Sequence, residues 1–399
     1  MLMFTLTILL ESVNKHGFKL TVQPLKNLCH FNPLKSSECL SFCCITIFIV
    51  NSLLIEKAIA RFKLTRYYSA PLIIGNLLAL FILPIAVKKV GAFNHFGGLF
   101  VFFYTTVALL KLSSYHMVNY WFRRAVKENK NIFFTIDYLH KVYTVPEDKS
   151  LTYPNNLTFS NMCYFIIAPT LCYDLHFPRS SRPLSEKLKN LLLLVLFTFL
   201  FHILVCQIVV PSVLEILLNE SKISSIAYIL MRIKTIFTIQ LLLFLFFYTY
   251  FHLYLNFLAD ITNFADRLFY RDWWNSRILN QFWRRWNLPT HKFCIRHIYM
   301  PLIARGFSRY TALFAVFLAS AVFHEYLVCL SLELNHHYLG IGLIAQTPLL
   351  VLEFQRKETN KKSLFIDLFV TAFCFIVTEQ VFCLYFRTYL QTHGITEMN

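Results

Sequence analysis

Apolar positions along this chain arrive in long, nearly unbroken blocks, divided by short polar joints and by two longer polar stretches. A helix needs about 20 largely apolar residues to cross the hydrocarbon core of a bilayer. Blocks of that kind run over roughly 39–55, 70–88, 98–118, 188–212, 226–258, 307–332, 338–354 and 364–386. The 226–258 block exceeds one bilayer thickness, so it is expected to tilt or to project into an aqueous loop. The first ten residues, MLMFTLTILL, read as the last part of a ninth span that starts too late. The pattern predicts an all-α polytopic transmembrane bundle of about nine spans, the first short or truncated. With no internal repeat and no Gly-rich linker, residues 1–399 are expected to form a single membrane-embedded domain.

Loop charge gives an orientation. The joints at 56–69 (Lys57, Arg61, Lys63, Arg66) and 355–363 (Arg356, Lys357, Lys361, Lys362) are basic, whereas 213–225 carries one cation, Lys222, and 333–337 none. Basic residues collect in cytoplasmic loops. The alternation is satisfied by a cytoplasmic N-terminus and a C-terminus across the membrane, although Lys15, Lys19, Lys26 and Lys35 oppose the first crossing. The two long polar segments, 119–187 and 259–306, then fall on the same, cytoplasmic side. The second carries eight Lys or Arg against three Asp and four of the five Trp: Trp273, Trp274, Trp283 and Trp286. Interleaved Trp and Arg suit the headgroup region, which makes an interfacial amphipathic helix the plain structural reading.

Composition agrees with the pattern. Of 399 residues 57% are apolar and 15% charged, against about 25% charged in soluble domains. Disorder and collagen-like repeats are excluded. The net charge of +17 suits topology signals first, and anionic lipid or an anionic soluble substrate second. The 11 Cys are odd in number and lie mostly within apolar runs, as at Cys43, Cys44, Cys206 and Cys374. They read as small buried hydrophobes rather than a disulfide framework. Met1–Leu10 lacks a basic n-region, so an uncleaved early span is expected to target the chain.

Three places carry candidate chemistry. His324 and Glu325 sit deep inside an apolar helix, where a charged residue costs at least about 2.5–3.5 kcal/mol, so the pair is a functional hypothesis by default. Against this stands a neutral His hydrogen-bonded to a neighbouring helix, with Glu325 turned about 100° away. A neutral imidazole is the form that a general base requires. In FYRDWWN, residues 269–275, Asp272 and Asn275 share a face if helical. Asn275 suits orientation of a carbonyl and Arg271 suits phosphate, while the bland reading is a Trp-anchored helix with a solvated pair. His291, Cys294 and His297 in HKFCIRH invite a zinc reading, but on one helix they span an arc of about 120°, wide for one ion; no metal is expected. The sequons at Asn156 and Asn219 are weak signals. P-loop, GxSxG and GxGxxG signatures are absent from the sequence.

FYRDWWN, then HKFCIRH, then FLASAVFHEYLV resembles the membrane-bound O-acyltransferase superfamily. Together with LLKLSSYHMVNYW at 109–121 and YPNNLTFSNMCYFIIAPTLCYDLHFPRSSRP at 153–183, these stretches are most similar to the diacylglycerol O-acyltransferase type 1 family. The sterol O-acyltransferase branch shares the Trp-rich motif and HEY. The resemblance covers roughly 40–390 and implies a helical fold of nine spans around an intramembrane reaction chamber. His324 matches the catalytic histidine, and Asn275 an asparagine that helps to position acyl-CoA. Gln346 matches a glutamine near the reaction centre. Where the family carries Gly-Gln-Pro in its last span, this chain has Glu379-Gln380-Val381; Gln380 keeps the glutamine. The family's basic N-terminal region, associated with dimer formation, has no counterpart in the sequence given.

The resemblance implies an endoplasmic reticulum enzyme that esterifies diacylglycerol to triacylglycerol, with long-chain acyl-CoA as co-substrate, no cofactor and no nucleic acid, working as a homo-oligomer. His324 would act as base, Glu325 would orient the imidazole or balance its transient charge, and Asn275 and Gln380 would steady the carbonyl or the leaving group. Arg271, Lys292 and Arg296 would meet the CoA phosphates, and Asp272, Trp273, Trp274, His291 and Gln346 would line the substrate path. One rival keeps the chemistry but takes a sterol, a long-chain alcohol or retinol as acceptor. Another class, a transporter or channel using His324 and Glu325, explains the buried pair but not the Trp-rich segment. A catalytically silent scaffold is opposed by the intact motifs.

Overall fold

The computed structural model describes residues 37–90, 95–127, 153–209, 211–213, 215, 224–276, 278–332, 334, 337–358, 383–385 and 388. Every regular element among them is helical; the only β feature is an isolated bridge. Helices α1 (Ser37–Phe62), α2 (Arg66–Val90), α3 (His95–Lys127), α5 (Leu184–Leu204), α6 (Ser225–Thr262) and α9 (Arg309–Leu332) contain stretches long and apolar enough to cross a membrane. The protein is therefore a polytopic membrane protein, with six candidate spans among the described residues. A seventh predicted block forms α10 (Tyr338–Glu358), whose apolar part is shorter. The expected ninth span at the N-terminus lies outside the described residues, as does most of 364–386.

Lipid offers the backbone no hydrogen-bond partner and adds little hydrophobic drive between helices. What joins the spans is close packing plus a few polar contacts. Asn51 Nδ2 donates to Asn76 Oδ1 (2.7 Å), and Asn76 Nδ2 to Ser52 Oγ (2.8 Å) and to the Phe48 carbonyl (3.1 Å), pinning α1 to α2. Tyr326 of α9 stacks on Phe81 at 4.4 Å and donates to its carbonyl (3.0 Å). Ile45, Leu53, Leu80, Phe102, Leu112 and Tyr115 complete the shared core of these helices. Outward rows such as Leu188, Leu192 and Leu196 of α5 remain exposed, as lipid-facing positions should.

The helices overrun the predicted spans. The basic joint expected at 56–69 shrinks to a turn, and its Glu56 is fully buried, accepting from His116 Nδ1 (2.7 Å) and from Arg123 of α3. The long α6 spans 38 residues, roughly 57 Å at 1.5 Å per residue. It continues through a π-helical stretch, Tyr248–Tyr254, and ends at Asn263, whose left-handed φ of 51° an asparagine tolerates. Its far end projects beyond a bilayer's thickness and packs into the Trp-rich segment.

The two long polar segments meet. Ala265 donates to the Pro178 carbonyl and Ser180 to the Asn263 carbonyl, both at 2.9 Å. In the first segment α4 (Phe159–Ile167) is capped at its start by Thr158. At its end Lys111 of α3 donates to three carbonyls, those of Phe165, Ile166 and Ala168, at 2.6–2.9 Å. A cation on the last carbonyls of a helix satisfies acceptors that would otherwise be orphaned. The sequon asparagine Asn156 is 1% exposed and bonded to Asn119 and Tyr173, so in the folded chain it is no surface acceptor for a glycan. Asn219 lies outside the described residues. Eight cysteines among the described residues lie outside any disulfide, and Cys43, expected to be buried, is exposed on the outer face of α1. An apolar run hides a thiol from water, yet half of a span's circumference faces lipid rather than protein.

Candidate active site

His324 lies two-thirds of the way along α9, and its ring is exposed rather than walled in by packed side chains. Its Nδ1 lies 2.7 Å from the Ser320 carbonyl, one helical turn back, and 3.3 Å from the Ser320 hydroxyl. A carbonyl only accepts, so Nδ1 carries the proton and donates. In the neutral ring Nε2 then carries the lone pair. The tautomer is set by a backbone atom of the same helix.

Glu325 turns away from that ring. Its carboxylate accepts from Gly340 N–H (2.5 Å), the Cys329 thiol (2.5 Å), Tyr385 hydroxyl (3.2 Å) and His337 Nδ1 (3.3 Å). The 100° turn between neighbouring helix positions separates the two side chains, and Ser320 rather than Glu325 holds Nδ1. Gly340 allows the approach, since a Cβ there would stand 2.9 Å from Glu325 Cγ.

FYRDWWN is not a helix but an extended strip ending in a 3₁₀ turn, Trp273–Asn275. Residues three apart eclipse in such a turn, so Asp272 and Asn275 still share a face, and both are exposed. Trp273 is buried in an aromatic nest with Phe247, Trp286 and Phe282 at 4.7–5.9 Å, while Trp274 is exposed. Arg285 of α7 (Leu279–Trp286) clamps the turn: its Nη1 donates to the Asp272 carbonyl (3.2 Å), and Arg271 N–H donates to the Arg285 carbonyl (2.9 Å). Sequence reasoning gave Arg285 no role.

The second omission is Glu353 of α10. Its two carboxylate oxygens accept from the Leu279 and Asn280 N–H groups at the start of α7, each at 2.8 Å. Trp283 Nε1 donates to Gln346 Oε1 (3.2 Å), and its ring meets Phe317 edge-on at 5.7 Å. Phe317 lies seven residues before His324 on α9, hence on the same face about 10 Å along the axis. Glu353 and Gln346 therefore fasten the Trp–Arg helix to α10, and Trp283 sets it against the face of α9 that bears the histidine. No hydrogen bond among the described residues joins Asn275 to His324. Gln380 lies outside the described residues.

Most of the expected phosphate ligands are engaged internally. Arg296 Nη1 donates to Asp174 (2.8 Å) over the Trp121 ring, and Lys292 Nζ to Asp266 (2.7 Å). Burial, helped by nearby Arg284, pulls the His291 pKa down to about 4, so at neutral pH it offers no positive charge. Burial likewise holds His297 at about 3, where it stacks on Trp121 and contacts Ser114 Oγ at 2.8 Å. Arg271 remains exposed. His291, Cys294 and His297 do not gather; among the described residues the one trio of ligand atoms within reach of a single ion is Glu325, Cys329 and His337.

Long apolar helices, an exposed histidine on one of them and a Trp–Arg helix packed through Trp283 against the same face define the class: a polytopic helical membrane protein. Residues 97–387 match MBOAT, the membrane-bound O-acyltransferase family, and the chain belongs to that family. It is similar to diacylglycerol O-acyltransferase 1 of Homo sapiens, 36% identical over 348 residues, covering 86% of this chain and 69% of the relative. The Chlorocebus aethiops protein of the same name gives the same identity and coverage. That of Bos taurus is 34% identical over 373 residues, covering 91% and 75%. The protein is an O-acyltransferase of the MBOAT family, related to diacylglycerol O-acyltransferase 1.

Proposed function

We propose that this enzyme transfers the acyl group of a long-chain acyl-CoA to the free hydroxyl of diacylglycerol, in the endoplasmic reticulum membrane. The observation that carries the mechanism is the Nδ1 contact to the Ser320 carbonyl, which leaves Nε2 as a base. Nε2 takes the acceptor's hydroxyl proton as the oxygen attacks the thioester carbonyl. The tetrahedral intermediate collapses, the C–S bond breaks, and the CoA sulfur leaves with the proton held by the imidazolium. Products are the ester and free CoA. Asn275, Gln346 and Gln380 are candidates to steady the carbonyl oxygen, and exclusion of water would protect the thioester from hydrolysis. The acyl chain would enter an intramembrane chamber among about nine spans, with the cytoplasmic face at the Trp–Arg segment and the C-terminus lumenal. The names of the relatives support diacylglycerol as acceptor.

Purified protein given labelled oleoyl-CoA, with diacylglycerol, a sterol or a long-chain alcohol in separate reactions, tests the reading. Triacylglycerol is the expected product; esterification of sterol alone overturns the acceptor. His324→Ala is expected to cut the rate by about 10²–10⁴-fold, the usual worth of a general base, with the melting temperature kept. An active, folded His324→Ala overturns the mechanism.

A further inference from the structure

We propose that Glu325, Cys329 and His337 form a zinc-binding site on the side of α9 that faces away from the His324 ring. Glu325 and Cys329 are one turn apart on the same helix face, and His337 comes from the joint before α10. Glu325 Oε2, Cys329 Sγ and His337 Nδ1 lie within 4.8 Å of one another. A tetrahedral ion with ligands at about 2.0–2.3 Å requires separations of roughly 3.3–3.8 Å between them. The His337–Glu325 separation is already 3.3 Å; the thiol, at 2.5 Å from the carboxylate, has only to move back by about 1 Å. Tyr385 Oη stands 3.4 Å from both Sγ and Oε2, beside the ligands, and a water would complete the shell.

The groups behind the ligands are also in place. Glu325 Oε1, the oxygen turned from the ion, accepts from Gly340 N–H, and Tyr385 Oη accepts from Leu339 N–H at 2.9 Å. Such outer bonds orient ligands and raise affinity. A thiolate, an imidazole and a single carboxylate select a borderline-soft ion, zinc, over magnesium or calcium. Binding displaces the thiol proton to solvent, so affinity rises with pH. The ion would lock α9, immediately after His324, to the start of α10 and to the helical turn that carries Tyr385.

The test is cobalt titration of the full-length protein in detergent, stripped beforehand with chelator. One equivalent of Co²⁺ is expected to give a near-ultraviolet sulfur-to-cobalt band with tetrahedral visible bands, and zinc is expected to displace it. Cys329→Ser removes the sulfur band. His337→Ala, at a 70% exposed side chain and therefore tolerated by the fold, weakens cobalt binding tenfold or more, and carries the test if Cys329→Ser fails to fold. Absence of the band overturns the proposal. So does a band that persists unchanged in both variants, since the metal then sits on other cysteines.

Discussion

Glu353→Gln tests whether α10 holds the Trp–Arg helix in place. An eight-residue helix is far too short to persist by itself, and α7 begins with two N–H groups that both donate to this one carboxylate at 2.8 Å. Hydrogen bonds to a charged group contribute about 1.5–3 kcal/mol each. Glutamine removes the charge and turns an NH₂ donor towards one of the N–H groups, so one bond is lost and the other reverts to a neutral one. The expected cost is roughly 2–4 kcal/mol at the α7 terminus. Only part of it reaches the substrate, because α7 also packs through Trp283 on Phe317. At 1.4 kcal/mol per factor of ten, a tenfold to hundredfold rise in KM for acyl-CoA is expected, with a smaller fall in kcat. Initial rates of CoA thiol release at varied acyl-CoA measure both. Glu353→Ala should be worse than Gln, and Glu353→Asp should recover part of the loss. If Gln and Ala variants both stay within twofold of the parent in KM and kcat, with unchanged melting temperature, this carboxylate does not position α7.

Two further outcomes follow from other buried groups. His291 and His297 sit below their usual pKa near 6.5 because burial disfavours their charged forms. The unfolded chain therefore takes up protons first. Stability is fully present above about pH 6.5 and is lost as pH falls towards about 4 for His291 and about 3 for His297, with an upper bound near 5 kcal/mol for the latter. Thermal unfolding in detergent from pH 8 to pH 4 should show this decline, and a flat profile would contradict it. Lys111→Met leaves the Phe165 and Ile166 carbonyls at the end of α4 without their donor, whereas the Ala168 carbonyl keeps the Thr170 N–H. At about 1–3 kcal/mol per orphaned acceptor, a large loss of thermal stability is expected, and an unchanged melting temperature would refute the capping role.

The spans were legible because bilayer thickness imposes a length and a polarity that a one-dimensional pattern can express. Six of the eight strong blocks became helices of spanning length. Helix ends were less legible, since Lys57 and Arg61 read as loop cations while the helix ran on past them to Phe62. Glu56 shows why: its partners His116 and Arg123 lie on another span, about 60 positions away in sequence. Depth alone singled out His324 as a candidate, and its neighbour Glu325 lies about 100° round the helix, bonded to Gly340, Cys329 and Tyr385 rather than to the ring. Glu353 and Arg285 could not be found by any local pattern, because each acts on backbone atoms of a distant segment. The one available signal was an acidic residue near the end of an apolar block, which many solvated faces also carry.

Charge makes the same point at larger scale. A net +17 invites the view that every cation in the Trp-rich segment awaits an anionic substrate. The folded chain uses several of them as internal ties: Arg296 with Asp174, Lys292 with Asp266, Arg267 with Asp260 and Arg285 with the backbone of FYRDWWN. Each tie joins the Trp-rich segment to itself, to α6 or to the first polar segment, and each carboxylate lowers the positive field that a CoA phosphate would meet. Under the proposed function phosphate recognition would fall to exposed cations such as Arg271 and Arg284, whose contribution is screened by salt. The paired cations fix the shape of the surface on which that recognition occurs. A substitution at Arg296 should therefore be read first as damage to the joint between the two polar segments, and only then as loss of a substrate contact.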